Sequence, residues 1–92
     1  MPKEKQISDL KSLGTKSQEM LARAGIHTIE QLRELGSVEA YIRVKRVWVG
    51  TSLNLLWALE SALTGMPWQE VAKIHRTSLL LAVDEAERRS RS

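Results

Sequence analysis

Glycines set between short apolar stripes are what most constrains this chain. In Leu13-Gly14-Thr15-Lys16-Ser17 a glycine stands where a short helix should stop, and small polar residues that can cap a new helix follow it. Lys16 then falls in the first turn of that new helix. The same punctuation returns at Gly25-Ile26-His27-Thr28, ahead of Ile29, Leu32 and Leu35, and again at Gly36. Two tight helix-to-helix reversals are expected between Leu10 and Gly36. Backbone N–H groups exposed at such a turn, beside a cation, can hold a phosphate.

The apolar spacing predicts helices throughout. Ile7, Leu10 and Leu13 make a short first helix that stops at Gly14. A second runs from about Thr15 to Ala24, with Ser17, Met20, Leu21 and Ala24 inward and Gly25 as its end. Thr28-Ile29-Glu30-Gln31 reads as a capping box that opens a third, closed by Gly36. Ser37 starts a fourth, with Val38, Tyr41, Ile42 and Lys45 along one side, broken at Trp48-Val49-Gly50. Thr51 or Ser52 caps a fifth, whose stripe is Leu53, Leu56, Leu59 and Leu63, widened by Leu55 and Ala62, with Glu60 facing water. Gly65 ends it and Pro67 opens the next. Trp68, Val71, Ala72, His75, Leu79, Ala82, Val83 and Ala86 fit one long helix, yet Thr77 could equally cap a separate last one. A short helix near 67–73 followed by a final helix near 77–89 is the preferred division. Only Ile42 to Val49 is rich in β-branched residues, and no hairpin turn flanks it, so strands are not expected. The fold class is all-α, a compact domain of five to six helices over residues 7–89, with residues 1–6 and 90–92 as flexible tails.

Composition removes several chemistries. With no cysteine among 92 residues, a disulfide framework, a thiolate zinc site and a Cys nucleophile are excluded, and a reducing, cytoplasmic setting fits. The charged start Met-Pro-Lys-Glu-Lys-Gln lacks the apolar core of a secretion signal, and no apolar run approaches a membrane span. His27 and His75 are the only histidines and have no Asp/Glu set at ligand spacing, so neither metal nor cofactor is expected. No nucleophile elbow or oxyanion loop is visible, so the chain reads as non-enzymatic. A formal charge of +3 favours nucleic acid only weakly.

The ordered set Leu13-Gly14-Thr15-Lys16-Ser17, Ala24-Gly25-Ile26-His27-Thr28, Leu35 to Tyr41 and Ser52 to Glu60 resembles the C-terminal domain of the TfoX/Sxy proteins, regulators of natural competence. The resemblance spans roughly Asp9 to Glu87. It implies an all-helical fold related to helix-hairpin-helix (SAM-like) domains, and a role in switching on DNA-uptake genes, which the longer family members perform together with the cyclic-AMP receptor protein. Longer members carry a separate N-terminal domain. These 92 residues leave no room for one, which suggests a stand-alone copy or half of a split system.

Three places could carry that role. At the Ser12–Ser17 turn, Gly14, Thr15, Lys16 and Ser17 are candidate phosphate or DNA contacts. Ser12 there replaces the first glycine of the usual DNA-binding hairpin, and Gln18 replaces a small packing residue. Arg43 and Arg46, with Lys45 and Trp48, form a second candidate patch in which Arg holds phosphate and Trp stacks. The bland reading is a solvated face whose long stems cover Trp48. Trp57 and Trp68 read as core or core-edge residues, and Met20 and Met66 as gap fillers. In the last helix, Leu79, Leu80 and Leu81 cannot all face one core at 3.6 residues per turn, so Leu80 or Leu81 is left outside as a candidate protein interface. Arg88 and Arg89 then sit at the negative end of that helix. The expected partner is a protein, either regulatory or a separate N-terminal-type domain. Weak DNA binding and a homodimer are the other associations considered, and no membrane is involved. No recognition helix carries the Arg/Asn/Gln set needed to read bases.

Overall fold

The structure is a computed structural model that describes residues 13–48 and 50–91. Its helices are α1 (Thr15–Arg23), α2 (Ile29–Val47), α3 (Leu53–Thr64), α4 (Trp68–Ile74) and α5 (Arg76–Arg91), and there is no strand among the described residues. The helix expected over Ile7–Leu13 lies outside the described residues except for Leu13, which is buried. No helix among the described residues is long and apolar enough to cross a membrane.

Turn chemistry accounts for the order of the elements. α1 ends in a reversal through Gly25, whose φ of 86° is open to glycine and strained for other residues. The Ile26 N–H donates back to the Leu21 carbonyl at 2.8 Å and carries Ile26 into the core. α2 opens on the expected capping box. The Thr28 hydroxyl accepts from the Gln31 N–H at 3.1 Å, and Gln31 Oε1 accepts from the N–H groups of Thr28 and His27.

The third and fourth expected helices are the two halves of α2. They abut at Gly36, which is non-helical (φ 80°, ψ 167°) within an otherwise continuous α2. In the second half, Tyr41 and Ile42 are buried as expected, but so are Ala40 and Val44, while Val38 is only half-buried and Lys45 is exposed. α3 and α5 both pack on this segment, so its covered arc is wider than one stripe.

α3 is the centre. Leu56 and Leu59 are fully buried, with Leu55 and Trp57 nearly so. Leu53, expected in the stripe, is at the first residue of the helix and remains exposed. Glu60 does not simply face water: it is half-buried and accepts a 2.9 Å hydrogen bond from the buried Ser37 hydroxyl. The α3–α4 corner is tied by side chains. The buried Ser61 hydroxyl donates to the Met66 carbonyl at 2.5 Å, and Gly65 is left-handed at φ 77°. The two-helix division of the C-terminal part is the one observed, with the break at His75. Thr77 lies inside α5 rather than at its cap. Leu21, Ile26, Leu32, Val44, Leu56, Leu59 and Val71 form the driest part of the core, and each contributes about 1.5–3 kcal/mol by leaving water.

Candidate functional site

One residue of the second candidate patch, Trp48, lies beside the first candidate site. Lys16 and Ser17, on the first turn of α1, line a hollow of about 360 Å³ together with Met20, Trp48, Ser52 and Asn54. The Gly25 reversal folds α1 back along α2. Its start thereby comes beside the junction of α2 and α3. Gly14 is the N-cap of α1 in extended backbone, and Ser52 is the N-cap of α3. Neither helix has a side-chain cap bond or an acidic residue in its first turn. Lys16 is exposed and has no ion pair with a described carboxylate, so its charge adds to those of the two positive helix ends. Thr15 is exposed at the same end of α1.

Arg43 and Arg46 do not join this hollow. Arg43 pairs with Glu39 at 3.3 Å on its own helix, and Arg46 is exposed elsewhere on α2. The side chain over Trp48 is Arg23, from the end of α1, with its guanidinium carbon 4.8 Å from the ring centroid. Arg43 and Arg46 are exposed, as a solvated face requires, and the contact of Arg23 with the ring was not part of that reading. The reason is tertiary: the ring meets α1, which periodicity along α2 does not register. Arg23 also pairs with Glu19 at 3.5 Å.

Other cations are likewise matched to carboxylates. Lys45 meets Glu87 at 3.1 Å across α2 and α5, Arg88 meets Asp84 at 2.6 Å, and Arg89 meets Glu85 at 2.7 Å. The Arg89 hydrogen bond, then its charge, holds the Glu85 carboxyl below the usual carboxylate range.

The second site is the outer side of α5. Leu79 is 7% exposed and Leu81 65%, with Leu80 half-buried at the core's edge, so Leu81 is the one turned outward. Ile74 and Trp68 on α4 are also exposed, and of these Trp68 was expected at the core or its edge. Trp68 is 47% exposed rather than at the core, because α4 is short and only Val71 reaches the dry interior. Trp57 is buried as expected.

Comparison with known proteins fits this architecture. The model of the TfoX C-terminal domain matches residues 3–83. The chain belongs to the TfoX C-terminal domain family. It is 29% identical over 84 residues to the DNA transformation protein TfoX of Haemophilus influenzae, covering 91% of this chain and 39% of that protein. This TfoX C-terminal chain therefore spans well under half of that relative's length. A crystal structure of an uncharacterised protein from Listeria monocytogenes shares the fold, with a TM-score of 0.78 and 28% identity over 90% of this chain and 94% of that one.

Proposed function

We propose that this domain is a non-enzymatic regulator of DNA transformation that acts by binding another protein through the outer side of α5. Leu81 carries the reading. A leucine that α5 turns away from its own core, 65% exposed, is apolar area free to be covered by a partner. The family relationship supports the biological setting, since the Haemophilus relative is a DNA transformation protein. The pairing of Arg23, Arg43, Lys45, Arg88 and Arg89 with carboxylates also lowers the pull of the surface on a phosphate backbone.

A chimera tests it. The matching segment of the Haemophilus influenzae protein is replaced by this chain and transformation frequency is measured. The chimera is expected to transform, and its Leu81→Glu form to lose about an order of magnitude, as an interface anchor would. A folded chimera indifferent to Leu81→Glu overturns the reading.

The hollow at Lys16 supports a second reading, a nonspecific contact with nucleic-acid phosphates. Among the described residues Lys16 has no carboxylate partner, and it lines the hollow with Trp48 beside two helix starts that lack a side-chain cap bond. Labelled duplex titrated at several salt concentrations should bind more weakly to Lys16→Glu, with a smaller salt slope. Identical curves for the two proteins reject this site.

A further inference from the structure

The corner between α4 and α5 is not written into its local sequence. After Pro67 no glycine or proline occurs through Arg91. The corner residue, His75, has φ −100° and ψ 1°, which needs no special residue type. Its backbone already carries the bonds of a continuous helix. The His75 N–H donates to the Val71 carbonyl at 2.9 Å, and the Leu79 N–H donates to the His75 carbonyl at 2.9 Å. Turning both dihedrals by roughly 40° brings His75 to ordinary helical values, with both bonds kept. Val71, His75, Leu79 and Val83 recur every four residues, a spacing that one straight rod places along one broad side.

Tertiary packing is what bends the chain here. Val71, Leu79 and Val83 enter the core, α5 lies against α2, and Lys45 of α2 holds Glu87 of α5. These contacts do not require that α5 and α2 belong to the same molecule.

We propose that α5 is an exchangeable arm. In a second state α4 and α5 straighten at His75 into one rod from Trp68 to Arg91, about 36 Å long. Each of two copies then lays its α5 in the place the other has vacated on α2. The occupant of that place is a second copy of this chain, because the Leu79, Val83 and Glu87 contacts are remade unchanged between molecules. No new complementary surface is required, and the exchange closes as a two-fold dimer. Leu81, on the other side of α5, takes no part, so the exchange stands or falls independently of the partner proposed above.

The absence of cysteine makes the test clean. Lys45→Cys with Glu87→Cys introduces two thiols, which a bismaleimide can join. Monomer and dimer fractions from size exclusion with light scattering are treated separately and run on a denaturing gel. The monomer is expected to link within one chain and the dimer to give a covalent dimer. His75→Ala should tighten dimerisation and His75→Gly weaken it. Their dissociation constants should differ by about thirtyfold, the helix-propensity gap counted at two hinges. A His75→Ala protein that stays monomeric up to its solubility limit overturns the proposal, as does a dimer whose thiols link only within chains. Should the His75 variants lose helicity by circular dichroism, the cross-link in the unaltered hinge decides alone.

Discussion

The Ser37 hydroxyl donates a 2.9 Å hydrogen bond to Glu60 Oε1, joining the start of the second half of α2 to the middle of α3. Ser37 is buried, and its acceptor is a carboxylate. Ser37→Ala is expected to destabilise the fold by about 1.5–3 kcal/mol, the range for a hydrogen bond to a charged group. Urea unfolding followed by circular dichroism measures it, and an unchanged midpoint would show that Glu60 finds water instead.

Gly36 separates the two halves of α2 at φ 80° and ψ 167°, a combination essentially confined to glycine. A Cβ built there meets nothing within 4 Å, so backbone strain and not crowding sets the cost. Gly36→Ala should destabilise by about 1–3 kcal/mol. Gly14→Ala, in extended backbone with the same open space, should change stability far less. Equal losses at the two sites would contradict this assignment of cause.

The cap of α2 is separable from the core. Thr28→Ala removes the acceptor for the Gln31 N–H and should cost about 1 kcal/mol. Gln31→Ala leaves the His27 and Thr28 N–H groups to solvent, and a smaller loss is expected because both are exposed. Hydrogen exchange at the first turn of α2 should quicken in both variants before any change in the rest of the chain.

Leu79 and Leu81 should differ in their tolerance of substitution. Leu79→Ala should cost about 2–4 kcal/mol, because the side chain lies in the core. Leu81→Glu should leave the thermal midpoint nearly unchanged, since surface substitutions usually fall within about 0.5 kcal/mol. A strongly destabilised Leu81→Glu protein would place Leu81 in packing.

Glu85 offers a pH reading. Its carboxyl is held below the usual range first by the Arg89 hydrogen bond and then by the Arg89 charge. A depressed carboxyl adds to stability above its unfolded pKa, and that contribution fades as pH falls through the lowered value. The site is exposed, so the effect belongs in an NMR titration of the Glu85 side chain and not in a melting curve. Arg89→Gln should move the midpoint back up toward an ordinary glutamate.

The elements with local chemistry were readable in advance. Thr28 and Gln31 sit three apart and form their box, and Gly25 and Gly65 take the left-handed conformations that end α1 and α3. The Leu79–Leu81 run announced an outward leucine, because three successive residues cannot share one face of a helix. Relations between elements were not readable. Arg23 reaching Trp48, Glu60 accepting from Ser37, and Lys16 sharing a hollow with Trp48 all join residues far apart in sequence. Trp68 was misplaced for a related reason: size argues for burial, but how much cover a short helix receives depends on its neighbours. The break at His75 lay between, since the apolar pattern served one helix or two.

The Ser61 bond to the Met66 carbonyl has a mechanical consequence. With Thr64 Oγ1 accepting from the Met66 N–H and Gly65 in its left-handed turn, α4 is anchored firmly to the end of α3. Among the described residues no side-chain hydrogen bond spans the corner at His75. Any bending at this corner would therefore pivot on a single fulcrum, with α5 as the lever and α4 as its fixed post.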